Sequence, residues 1–283
     1  MVKAKKKARR VDWSRNQRLV VFKLYCGTQF GRLHNRNPDI IALARAIGRT
    51  ASAVALKACN FASLDPVHQA RGVKGMSNAS DADRDLWREF GENAEAVAAE
   101  AEAAWERLTG TTGHAATRAI TTQAPTAPSQ PRARSHTGPF EELVLPEGPT
   151  EVERTIRARR VQRFFHDAVL ASYGYRCALT GLAIPGLLTA SHIIPWSQCV
   201  ERRADPRNGI ALNALHDRAF DRGLITFDEE LRVVVSSQLD GAEVGPWHET
   251  SLRRIAGQHL SLPERFRPDH EALSWHRASI FTP

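Results

Sequence analysis

Three residues in the C-terminal half stand at spacings that invite a chemical reading: His192, Asn208 and His216, at intervals of 16 and 8. An unperturbed imidazole titrates near neutral pH, so a histidine at the end of a strand is suited to deprotonate a water. Asp217 and Asp221 follow directly, four residues apart on a predicted helix, so their carboxylates share one helix face. Leu212, Leu215 and Ala219 form the apolar stripe of that segment and leave the two acids on another side, available for a cation or for surface pairing. Arg218 and Arg222 interleave with them, placed to contact phosphates or to stand as solvated surface groups.

These residues need a frame. Residues 187–196 (LLTASHIIPW) read as a strand stopped by proline, and a polar loop, 197–207, follows. Residues 208–217 (NGIALNALHD) lead into a helix that continues through Asp221, and Gly223 ends it before the strand 224–227. Upstream, 152–173 reads as a basic amphipathic helix carrying Ile156, Val161, Phe164, Phe165, Ala168 and Val169, and 173–181 as a short strand and turn. The order is strand, loop, strand, helix, with His, Asn and His placed along it.

Three words in that order carry a family resemblance: SHIIPW from Ser191, DPRNG from Asp205 and HDRAFDRGLI from His216. Residues 157–227 closely resemble HNH nucleases, and the word PDHEALSWH from Pro268 is similar to segments that accompany this variant, though less specifically. The resemblance implies a ββα-metal unit holding one divalent cation between a strand and the helix. It makes His192 the general base and gives Asn208 the task of bracing the loop that aims it, with His216 as the third motif residue. The ligands it implies are His216 first, Asp217 second and Asp221 third. Many family members carry Asp or His just before the base, where this chain has Ser191, a poor ligand. Oxygen and imidazole donors suit Mg²⁺ or Mn²⁺ and also admit Zn²⁺ or Ni²⁺.

Elsewhere the chain reads as helical, then low in complexity. Residues 1–12 form a basic tail, and 13–108 a helical unit; 109–150 is a linker rich in Pro, Thr and Ala, and 151–283 the nuclease-like domain. Asn37 and Pro38 start one helix and Thr50 caps another, with Gly48 between them, the outline of a helix-turn-helix. In that outline Ser52, Lys57 and Asn60 face DNA. Residues 71–75 (RGVKG) form a Gly/Lys loop able to hold a phosphate, and 85–108 one long Ala/Glu-rich helix with a structural role. The fold class expected is α+β: an all-α, helix-turn-helix-like N-terminal unit, a linker of disordered type, and a ββα-metal domain with flanking helices.

The formal charge is +8, which draws the chain to polyanions. No apolar run approaches the ~20 residues that span a bilayer, and no apolar segment follows the basic N-terminus, so a cytoplasmic, non-membrane protein is expected. The four cysteines form no Cys-x-x-Cys pair and read as reduced thiols. The expected function is metal-dependent cleavage of double-stranded DNA, by a chain that could act as a homodimer. Its two-part layout resembles modification-dependent restriction enzymes, which sense 5-methyl- or 5-hydroxymethylcytosine through a reader domain. Two other readings stand beside it: a non-catalytic DNA-binding protein with a decayed HNH site, and an HNH toxin or RNase.

Overall fold

The computed structural model describes residues 12–72, 79–110, 149–240 and 245–283. Residues 1–11 of the basic tail, 73–75 of the Gly/Lys loop and 111–148 of the expected linker lie outside that set. The chain is α+β, with helices through residue 172 and two small antiparallel sheets in the C-terminal half.

Local chemistry starts each N-terminal helix. Helix α1 (Arg15–Cys26) opens on a reciprocal cap between Ser14 and Gln17. Asn37 caps α2 (Pro38–Ala46) and Thr50 caps α3 (Ala51–Ala62), as their sequences predict. Asp65 caps the short α4 (Pro66–Ala70). The expected long helix is instead two, α5 (Asp81–Glu92) and α6 (Ala94–Thr109). Asn93 leaves the helical region there (φ −148°, ψ 81°), and its side chain caps α6 through the Ala96 amide.

Burial corrects the expected DNA-facing surface of α3 at Lys57 and Asn60, though not at Ser52. Ser52 is the one residue of this helix classed as exposed, and its hydroxyl accepts from Asn35 Nδ2 at 3.2 Å. Lys57 and Asn60 are buried; the Lys57 ammonium donates to both Asp83 oxygens, at 2.7 and 3.0 Å, and lies over the Trp13 ring. The helix packs against both α1 and α2.

Helix α7 (Pro149–Ser172) joins the two halves. Val161, Phe164 and Ala168 enter the N-terminal core, where Phe22 packs edge-on against Phe61 and Phe90. Phe165, Val169 and Leu170 enter the C-terminal core. Two adjacent phenylalanines thus serve two cores, each fully buried ring contributing about 1.5–3 kcal/mol of apolar burial. The basic face of α7 meets the acidic face of α6: Arg160 and Arg163 each reach Glu106 at 2.7 Å, and Arg157 reaches Glu95 at 3.2 Å. Glu102, wholly buried, pairs with Lys23 and Arg163.

Beyond α7, residues 173–181 form turns with no strand. Strand β1 (Leu188–His192) pairs antiparallel with β2 (Gly209–Asn213), in the register His192–Gly209, Ser191–Ile210 and Leu188–Asn213. Helix α8 (Ala214–Asp221) folds back over this hairpin. Gly223 then turns with φ +68°, where a Cβ would meet the Ile280 carbonyl oxygen at 2.1 Å. Strands β3 (Ile225–Phe227) and β4 (Val233–Val235) form the second sheet, which α9 (His270–Ser279) covers. Among the described residues, no helix is long and apolar enough to cross a membrane.

Candidate active site

His192 closes β1 opposite Gly209, and Phe165 of α7 lies flat against its ring, centroids 3.7 Å apart. The close approach requires the glycine: a Cβ on residue 209 would stand 2.5 Å from Val169 Cγ2 and 2.7 Å from Phe165 Cζ. Trp196 stands edge-on to the imidazole, centroids 5.9 Å apart. His192 Nε2 is 3.0 Å from the Arg203 carbonyl oxygen. A carbonyl only accepts, so Nε2 carries the proton and Nδ1 keeps its lone pair. Burial lowers the ring's pKa below the ordinary 6.5, opposed by the Arg203 carbonyl, and so favours the neutral form.

Asn208 is 1% exposed and spends its amide on the segment that leaves His192. Its Oδ1 accepts from the Ile194 amide at 2.8 Å, while Nδ2 donates to the carbonyls of Ile194 (3.0 Å) and Arg202 (3.4 Å). Its own carbonyl accepts from the Ile193 amide. Asn208 therefore clips the loop 197–207 onto the end of β1, and the carbonyl of the next loop residue, Arg203, holds the histidine.

Asp217 and Asp221 lie one turn apart on α8, with Asp217 beside Ser191. Burial raises the Asp217 carboxyl above its usual range, opposed by the Ser191 hydroxyl and Arg218. Asp221 is raised by burial and then by the Asp217 charge, against Arg218 and Arg222. The Ser191 hydroxyl is buried and lies close enough to steady the Asp217 carboxylate, though not in strict hydrogen-bond geometry. Asp217, Asp221 and the Ser191 hydroxyl are oxygen donors of the kind a hard divalent cation takes. Among the described residues, no three His, Cys, Asp or Glu side chains gather where they could hold a metal ion.

His216 is placed differently. It is buried at the start of α8, with Nε2 2.8 Å from the Ser251 carbonyl and Nδ1 3.2 Å from Asn213 Nδ2. Asn213 pairs with Leu188, at the end of the hairpin remote from His192. Both ring nitrogens are engaged there, so His216 has no free lone pair for a metal, and its first rank among the expected ligands does not hold. Desolvation opposes its protonation, but contacts with Cys177 and the Ser251 carbonyl raise its pKa above 6.5. Burial opposes ionisation of the Cys177 thiol, which His216 and Thr180 nevertheless bring down to about 7.

Residues 177–228 match the HNH endonuclease family. No curated protein matches the chain. The HNH endonuclease domain so defined contains Ser191, His192, Arg203, Asn208, Asp217 and Asp221, and excludes Phe165 and the whole N-terminal unit. Arg218 and Arg222 stand exposed beside the two aspartates. Two site residues escape the reading of the HNH words alone. Phe165 lies outside them, and its signal was a second phenylalanine where one helix face needs only one. Arg203 contributes a main-chain oxygen, which residue type does not encode.

Proposed function

We propose that this chain is a metal-dependent endonuclease that hydrolyses phosphodiester bonds in double-stranded DNA. The observation that carries this reading is the tautomer of His192: Nε2 donates to the Arg203 carbonyl at 3.0 Å, which leaves the Nδ1 lone pair for a water, one residue along β1 from the Ser191 hydroxyl that stands beside Asp217. His192 Nδ1 takes the proton from an attacking water, and Phe165 and the Arg203 carbonyl hold the ring so that no reorientation precedes transfer. Asn208 keeps the loop closed on the base. Asp217 and Asp221, with Ser191 as a weaker donor, would hold Mg²⁺ or Mn²⁺. Such an ion supplies positive charge against the crowded phosphate and the departing 3′ oxygen. Arg218 and Arg222 lie where DNA phosphates would approach the carboxylates.

Relaxation of supercoiled plasmid with Mg²⁺ or Mn²⁺ tests this reading, together with calorimetric titration of Mn²⁺. Asp217→Asn and Asp221→Asn each lower cutting at least about tenfold and weaken Mn²⁺ binding. Retention of Mn²⁺ binding by the double variant contradicts the ligand assignment; a wild type that cuts with neither ion contradicts the nuclease reading. The absence of three acidic or imidazole ligands among the described residues favours a second reading, a DNA-binding protein with a decayed site. That protein binds plasmid and never cuts it. The two-part layout makes modified cytosine the substrate to try first: a methylated plasmid is cut faster than its unmethylated copy, and equal rates exclude the restriction of modified DNA.

A further inference from the structure

We infer that the N-terminal helical unit aims the general base, through an ion pair between Glu95 and Arg203 that holds the carbonyl to which His192 is tied. This rests on the reading of His192 as the base.

Arg203 makes four connections at once. Its carbonyl oxygen accepts from His192 Nε2 at 3.0 Å. Its Nε donates to the Trp196 carbonyl at 2.8 Å, and its guanidinium lies 4.8 Å from the Trp196 ring centre. Its Nη1 is 3.7 Å from Glu95 Oε2, an oxygen that is buried and has no hydrogen bond. Glu95 belongs to the first turn of α6, far outside the HNH domain, and its other oxygen is held by Arg157 Nε at 3.2 Å. The next loop residue, Ala204, is wholly buried and belongs to the N-terminal core, and Trp196 packs against the same core.

The loop 197–207 is therefore gripped from two sides. Asn208 fixes the Arg202 carbonyl from within the domain. Glu95 and the helical core fix Arg203 and Ala204 from without. Glu95 and Arg203 act through the His192 ring, so they are positioning residues. Their joint product is one imidazole tautomer: loosening the 203 carbonyl lets the Nε2 proton move to Nδ1, which silences the lone pair needed for water.

The other ion pairs between the halves provide a control. Arg160 binds Glu106 at 2.7 Å, a closer pair than Glu95–Arg203, and has no link to the loop. If Glu95 served only to dock the halves, Arg160→Gln and Glu95→Gln would act alike.

The test is heteronuclear NMR of the histidine side chains in the full-length protein, with the His192 signals assigned by His192→Gln. The ring-nitrogen shifts report the tautomer whether or not the protein cuts DNA, so failure of this inference is distinct from failure of the nuclease reading. Wild type and Arg160→Gln should show His192 protonated on Nε2 alone. Glu95→Gln and Arg203→Ala should show a mixture, and Arg203→Lys, which keeps the charge facing Glu95, should recover part of the wild-type signal. Where cutting is measurable, it should fall about tenfold in Glu95→Gln with unchanged DNA affinity. A wild-type tautomer in Glu95→Gln, or an equal mixture in Arg160→Gln, would overturn the inference; Glu95→Gln keeps it testable if Arg203→Ala does not fold.

Discussion

Phe165 and His192 lie face to face, with ring planes 9° from parallel. One comes from the helix that joins the two halves and the other from the last residue of β1, so the plane of the imidazole is set from outside the HNH domain. Flat aromatic contacts of this kind add about 0.5–1.5 kcal/mol beyond area burial.

Phe165→Leu keeps an apolar side chain and removes the shelf. It should cost about 1 kcal/mol or slightly more in urea unfolding. The cutting rate should fall further, by about ten- to a hundredfold, with little change in KM for DNA, because a misaimed base loses transition-state contacts alone. A rate loss no larger than the unfolded fraction explains would contradict the shelf.

Asn208→Asp separates the two ends of the amide. The carboxylate still accepts from the Ile194 amide, but it sets oxygen against the Ile194 and Arg202 carbonyls. The expected outcome is a loss of about 1–3 kcal/mol, for a buried polar group left unsatisfied, together with inactivity. Chemical unfolding and a plasmid assay check it; wild-type stability would mean that the clip is dispensable.

The sequence makes much of this frame legible, but only where the chemistry is local. Asn37, Pro38 and Thr50 start their helices where capping rules place them, and the words around His192 and Asn208 carry the hairpin. What escaped depends on partners distant in the chain. A lysine at residue 57 reads as a surface charge until Asp83 is packed against it. The break at Asn93 is the exception: Gly91, two residues before it, marks it locally within a run of otherwise good helix formers. His216 looks like a ligand by spacing alone; the Ser251 carbonyl that occupies it is 35 residues away.

Lys57→Met tests the corrected reading of α3. It leaves the buried Asp83 carboxylate with the Ser80 amide, at 3.0 Å, and Arg18, at 3.5 Å, as its one remaining cation, and should destabilise the fold by about 3–5 kcal/mol. DNA affinity of the folded fraction should not change. Unchanged stability with weaker DNA binding, read by urea unfolding and fluorescence anisotropy, would restore Lys57 to a DNA-facing role.

His276 predicts acid sensitivity. It is buried against Phe220, between the Phe220 carbonyl and the Thr226 hydroxyl, and burial lowers its pKa from 6.5 to about 4. The unfolded chain takes up this proton at a higher pH than the folded one. Stability from this group is therefore present above pH 6.5 and lost as pH falls towards about 4. The full loss is about 3 kcal/mol. Urea midpoints at pH 7, 5.5 and 4 should fall more steeply for wild type than for His276→Asn; equal slopes would contradict the assignment.

The central claim is that His192 is the base of a DNA-cutting site. Its most direct measurement compares wild type and His192→Ala on supercoiled plasmid with Mn²⁺, beside their affinities for the same DNA. The account predicts that wild type cuts, and that His192→Ala binds with unchanged affinity and does not cut. Cutting by His192→Ala at the wild-type rate would contradict it.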